Sequence, residues 1–323
     1  MINSPIIKNI NEKLFIFSLF ALPFKYEISS VAIFSIFTMS CYDVIKNKTN
    51  IFNTINNSII FFFAYFIIEI LGLFYSENLS FGLKDIESKL FFVICPIIFM
   101  ANRFEEKTLN KSYIFFIIGT ILTLIIHFWF GIKYYHKYNA LPNYVYFSFL
   151  MHPAYYSLYL ITSVIITMKL KKENIIKYSW IYYTLIFILS LGILLTNSKS
   201  GTITYFLISI YLLINHIIKQ NKIYVLFILI SFTSVSIIVF NKIEITRFYE
   251  LKTILNFPIK KKYNDEYNST QGRIIIWRSV KEIMINNLIL GTGTGDIKDE
   301  LKKEFEKVNF RSGVKYNYNC HNQ

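Results

Sequence analysis

Apolar residues along the chain fall in unbroken blocks, not in stripes. Six blocks, at 58–75, 113–132, 147–168, 178–196, 202–218 and 223–240, lie near the roughly 20 residues that an α-helix needs to cross a bilayer. A shorter block at 89–100 contains Pro96. Two more, at 14–24 and 28–42, are separated by Pro23-Phe24-Lys25-Tyr26-Glu27. A helix packed on a soluble core shows one apolar face and one polar face; these blocks are apolar all round. The pattern predicts an all-α, polytopic transmembrane helix bundle over residues 1–240, with about nine spans. A polar segment, 241–323, follows it. No small-x-small cleavage site follows 14–24, so that block is read as a retained helix, not a signal peptide.

Composition and charge sharpen this picture. The 323 residues are 54% hydrophobic and 18% aromatic, and 17% are charged, against about 25% in a soluble protein. Mean hydropathy is +0.42. With a cytoplasmic N-terminus, the short inner loops hold Lys8, Lys13, Lys46, Lys48, Arg103, Lys107, Lys111, Lys169, Lys171, Lys172, Lys177, Lys219 and Lys222. The outer loops hold only Lys25, Lys84, Lys89, Lys133, Lys137 and Lys199. The bias supports that orientation and places 241–323 on the outer side of the membrane. The net charge of +14 follows largely from the same bias and requires no nucleic acid partner. Cys41, Cys95 and Cys320 are too scattered for a disulfide framework or a zinc site.

The outer segment carries 15 basic and 10 acidic side chains, an excess suited either to a solvated loop or to an anionic ligand at the outer leaflet. Within it, RIIIWRSVKEIMIN (273–286) places Ile276, Val280, Ile283 and Met284 on one helical face. Ser269 and Thr270 stand before it as caps. Arg273 and Trp277 are one turn apart. Next comes NLILGTGTGDIKDEL (287–301), with Gly291, Gly293 and Gly295 ahead of a charged stretch. A dinucleotide fingerprint would need its third glycine where Asp296 stands, and a further strand beyond, so that reading is excluded. Two readings stay open for this turn before a helix at 296–306. Its amides face a phosphate, or it is a helix-to-helix connection that needs positive φ.

Three stretches taken in order resemble one family: TNSKSG (196–201), QGRIIIWRSVKEIMINNLILGTGTGD (271–296) and YNCHNQ (318–323). GLFYSENLSFGLKDIESKLFFVICPIIF (72–99) and HPAYYSLYL (152–160) are similar to its members as well. The family is the O-antigen ligase and O-antigen polymerase superfamily of membrane glycosyltransferases, and the ligase-like region spans about 180–323. The resemblance implies a glycan donor linked to undecaprenyl pyrophosphate, a lipid A-core or glycan acceptor, and transfer without nucleotide, metal or other cofactor. It implies that Arg273 holds the pyrophosphate, with Lys199 where the family usually has arginine, and that His321 activates the acceptor hydroxyl. His152, Tyr155, Trp277, Gly293 and Asn322 are expected to line the site. Family members continue past the His-Asn pair with further membrane helices. The chain as given is therefore expected to be truncated, either as a fragment or as a shortened, inactive copy.

The chemistry suits these residue types. Fixed cations stabilise the charge that builds on a pyrophosphate leaving group, and a histidine near neutral pKa accepts a hydroxyl proton. Ligase and polymerase are close alternatives within the family. A transporter or flippase for the same lipid-linked glycan is the alternative from another class. It should show mid-span charges and a repeated half, and the apolar blocks show neither.

Overall fold

The computed structural model describes residues 5–48, 51–139, 147–217 and 269–318. Each apolar block within these ranges is a helix, and no strand occurs among the described residues. In chain order the helices are α1 (Pro5–Ala21), α2 (Tyr26–Asn47), α3 (Asn57–Leu73), α4 (Leu79–Lys89), α5 (Phe91–Ala101) and α6 (Glu106–Tyr138). They continue with α7 (Pro153–Lys172), α8 (Ser179–Leu195), α9 (Lys199–Ile217), α10 (Ser269–Asn286), α11 (Ile297–Lys307) and α12 (Arg311–Lys315). Two of them are long and apolar enough to cross a membrane: Glu27–Lys46 within α2, and α6. Helices α3 and α8 are as apolar but shorter. The expected span 223–240 lies outside the described residues.

Local chemistry sets the ends. Asn56 caps α3 by accepting from the Ile59 amide at 3.0 Å, and Asn78 caps α4 by accepting from the Phe81 amide at 3.1 Å. The block expected to form a helix from residue 147 does so only from Pro153. Proline is pre-set for the first helical position and needs no amide partner there, and His152 before it accepts from the Ala154 amide at 3.3 Å. Left-handed Asn139 and Lys48 end α6 and α2.

The chain divides into two compact units, Met1–Ile51 with Ala101–Ile243, and Phe52–Met100 with Glu244–Gln323. In the first, α1 packs on α2 and α6, and α7 packs on α6, α8 and α9. Its core centres on Leu124, Tyr156, Leu160, Leu189 and Ile193. Gly192 lets α8 approach so closely that a Cβ there would stand 3.1 Å from both Leu124 and Leu160. Several polar side chains buried inside this unit are hydrogen-bonded within it. The Tyr156 hydroxyl donates to Thr120 O at 3.1 Å, and Ser163 donates to the Thr120 hydroxyl at 3.0 Å. His127, fully buried, accepts from the Leu150 amide at 3.3 Å. A second polar knot joins Asn11, Ser40 and Asn102: Asn102 accepts from Asn11 at 2.9 Å and donates to Ser40 at 2.7 Å.

In the second unit, α3 packs on α4, α10 on α11, and α11 on α12. Ile275, Ile276, Ile283, Leu301, Phe305 and Phe310 form its core. Helix α10 begins at Ser269, so Ser269 and Thr270 open the helix itself and do not precede it. Its buried face also differs by one position from the expected one. Ile275, Ile276, Ser279 and Ile283 point inward, while Met284 is 61% exposed. Ile275 takes the place expected of Met284 because α11 and Phe310 cover the side of α10 that carries residues 272, 275, 276, 279 and 283.

Candidate functional site

Lys199 is the first residue of α9 and is half-buried. The TNSKSG stretch around it is a helix start built in three steps. Asn197 turns the chain with φ of 49°. Ser198, 2% exposed, then accepts from the Gly201 amide at 3.3 Å as the N-cap. Gly201 finally lets α9 lean on α7, since a Cβ there would overlap the Ser157 hydroxyl and stand 2.5 Å from Ser157 Cβ. Ser157 lies about one turn from the start of α7. The N-terminal turns of α7 and α9 therefore touch, and each brings a partial positive charge of roughly +0.5 from its aligned peptide dipoles. His152 and Tyr155 stand at this same end of α7, with ring centroids 5.9 Å apart, and Tyr155 is 61% exposed. Among the residues proposed from sequence, the structure thus brings Lys199, His152 and Tyr155 to one end of the first unit.

Arg273 and Trp277 are in the second unit, one turn apart on α10. Arg273 is half-buried, and Trp277 is exposed over 64% of its surface. Buried Gly272, Ile275 and Ile276 beside Arg273 hold that turn of the helix against the core. His321 and Asn322 lie outside the described residues.

The glycine turn has found a protein partner. Gly291 and Gly293 have φ of 71° and 89°, as expected for a connection that needs positive φ. The amides that would face a phosphate are spent on the corner between α3 and α4. The Thr294 amide donates to Gly72 O at 3.2 Å, and the Gly295 amide donates to the Ser76 hydroxyl at 2.9 Å. The Thr294 hydroxyl donates to Glu69 O at 2.6 Å. Asp296, in the N-cap position of α11, makes no capping bond. Its carboxylate instead accepts from the Glu77 and Asn78 amides at 2.9 and 2.7 Å, two charge-assisted bonds of the stronger class. Tyr75 donates its hydroxyl to Leu290 O. Glycines on both sides allow this approach: a Cβ at Gly82 would come within 3.2 Å of Gly295 Cα, and one at Gly72 within 3.2 Å of the Thr294 amide nitrogen. Of the two readings of the turn, the connection between helices is the one that accounts for its amides.

Sequence reasoning missed two groups in this unit. Glu69 sits inside the apolar block 58–75, against the expectation that these blocks carry no mid-span charge, and Lys89, one helix later, reaches its carboxylate at 2.7 Å and that of Asp85 at 2.5 Å. The cost of a carboxylate in an apolar helix was a signal that such a partner existed. The other is Asp296, read only as the residue that broke a nucleotide motif.

Residues 184–323 match the family model described as O-antigen ligase. No curated protein and no solved structure matches the chain.

Proposed function

From the membership of residues 184–323 in the O-antigen ligase family, which carries ligase- or polymerase-type glycosyl transfer, we propose that this chain is the ligase. It takes a glycan from undecaprenyl pyrophosphate and joins it to lipid A-core at the periplasmic face of the inner membrane. In this reading the apolar helices form a multi-pass bundle, and the segment beyond residue 240 is periplasmic.

The observation that carries the reading within the fold is the meeting of the α7 and α9 N-termini at Lys199. Two helix dipoles and an ammonium make that end of the bundle a place for an anion. The donor's pyrophosphate is such an anion, and charge builds on its oxygens as the bond to the anomeric carbon breaks. A single ion pair at ~4 Å with an effective dielectric of ~20 contributes about 4 kcal/mol before desolvation. Lys199 supplies a point charge where guanidinium would clasp two oxygens, and the family resemblance assigns pyrophosphate binding to Arg273 as well. The acceptor oxygen attacks the anomeric carbon opposite the leaving group. Its proton passes to His321, and undecaprenyl pyrophosphate departs with inversion at the sugar. Trp277, exposed one turn from Arg273, suits the interfacial level at which a lipid-borne substrate reacts.

The test is genetic and biochemical. Expressed in a ligase-deficient host, the full-length gene should restore long-chain lipopolysaccharide banding, and in a polymerase-deficient host it should not. Arg273→Ala and His321→Ala should each abolish transfer while membrane insertion persists. Wild-type banding in either variant removes that residue from the mechanism. Rescue of the polymerase-deficient host alone makes the chain a polymerase.

A further inference from the structure

Beside the α3–α4 corner lies a cleft of about 270 Å³, bounded by the start of α4, one face of α11 and the chain at 313–318. All three belong to the second compact unit. The aromatic rings of Phe81 and Tyr318 line it, and the amides of Asn78 and Asn317 stand on it. Lys298 and Lys302, four residues apart and so on one face of α11, project into it.

The charges on α11 are sorted by face. Lys303 reaches Glu300 at 2.7 Å and Lys307 reaches Glu304 at 2.8 Å, away from the cleft. Asp299, the carboxylate of the lining, accepts from the Asn78 amide group at 2.9 Å. Lys298 lies 4.5 Å from the centroid of the Phe81 ring, a contact that positions an ammonium without neutralising it. Neither Lys298 nor Lys302 makes an ion pair among the described residues. The cleft thus combines two lysines against one carboxylate, an excess of positive charge, with the rings of Phe81, Phe305 and Tyr318 and two side-chain amides. Its volume falls just under the range for drug-sized ligands and suits a sugar ring. Rings take the C–H face of a sugar, amides exchange hydrogen bonds with its hydroxyls, and paired ammoniums take an acid group.

We propose that this cleft is a subsite for an anionic saccharide unit, a sugar bearing a carboxylate or a phosphate, within the glycan or acceptor that the enzyme handles. It rests on the glycosyl-transfer reading for its context, while its own evidence is the lining. An acid sugar of the donor chain and a phosphorylated sugar of the core would present the same chemistry.

Binding is measured on the full chain in lipid nanodiscs, without donor, by titration with three probes: a trigalacturonate, its carboxyl-reduced neutral counterpart and a hexose 6-phosphate. At least one anionic probe should bind on the order of tenfold more tightly than the neutral one. K298Q/K302Q should remove that difference, and K298R/K302R should keep it. Preference for the uronate assigns the subsite to a donor acid sugar, and preference for the phosphate to a core sugar. Equal binding of charged and neutral probes overturns the proposal, and so does a preference that survives K298Q/K302Q. Since no transfer step is involved, restored lipopolysaccharide banding beside equal probe binding would sink the subsite and leave the transfer reading standing.

Discussion

Replacing Gly295 with alanine adds one methyl group where the structure has no room for it. The new Cβ would overlap the Asn78 carbonyl oxygen and stand 2.9 Å from its carbon and 3.2 Å from Ser76 Cβ. The obstacle is backbone, so the loop must move. Overpacking of this kind costs about 1–3 kcal/mol. Displacement also breaks the bond from the Gly295 amide to Ser76, worth about 1 kcal/mol, for a total of roughly 2–4 kcal/mol. Gly291, four residues earlier in the same motif, is the internal control. A Cβ there meets nothing within 4 Å, so Gly291→Ala carries only the cost of its φ of 71°, about 1 kcal/mol. Hydrogen exchange at the Glu77 and Asn78 amides, which donate to Asp296, reads the opening of this corner. A difference of about 1–3 kcal/mol is a ratio of roughly five- to a hundredfold in their opening. Gly295→Ala should open the corner more than Gly291→Ala does by that ratio. If the two variants open the corner equally, the close approach of Gly295 is not what makes glycine necessary there, and the reasoning fails.

Three further outcomes are expected. Glu69→Ala leaves Lys89 with Asp85 alone; with side chains 17–30% exposed, the loss falls between the surface and buried limits, on the order of 1–3 kcal/mol. A shift in thermal unfolding on detergent-solubilised protein measures it, and Glu69→Gln should recover part. Gly201→Ala should push the start of α9 off Ser157 and lower transfer activity more than it lowers expression, measured as banding normalised to protein level. The hydrogen bond and charge of Lys8 hold the Glu105 carboxyl below its ordinary range, and Glu105 raises Lys8 in the same order of causes. The Glu105 contribution is therefore present above the unfolded carboxylate value and fades as pH falls through its depressed folded value. The Lys8 contribution is present below the unfolded lysine value and fades as pH rises through its raised one. Amide protection at the start of α1 should hold across neutral pH and drop in acid, and Glu105→Gln should abolish that acid dependence.

The helices were legible because each is written locally. Continuous apolar runs, asparagine and serine caps, and a proline at the first turn of α7 declare themselves without reference to distant residues, and so α1–α3 and α5–α9 appear close to where the blocks predict them. Helix α4 was not called, since 79–89 carries only a short amphipathic pattern. The inward face of α10 was misread by one position because periodicity narrows a buried stripe but does not say which flank a neighbour will cover. The family resemblance at 184–323 was likewise legible, through short motifs in a given order.

The amino-acid sequence by itself determined helix class, helix placement and the family resemblance of residues 184–323, all of which depend on residues near one another along the chain. Only tertiary structure decided what the motifs pack against. Gly291–Asp296 reads equally as a phosphate loop or a helix connection until the α3–α4 corner, more than 200 residues upstream, is seen taking up the Thr294 and Gly295 amides. That TNSKSG starts a helix pressed against the first turns of α7 is likewise visible only in the fold. The physical reason is the same in both cases: an amide, a dipole or a charge acts on whatever lies within a few ångströms, and sequence order does not record that distance.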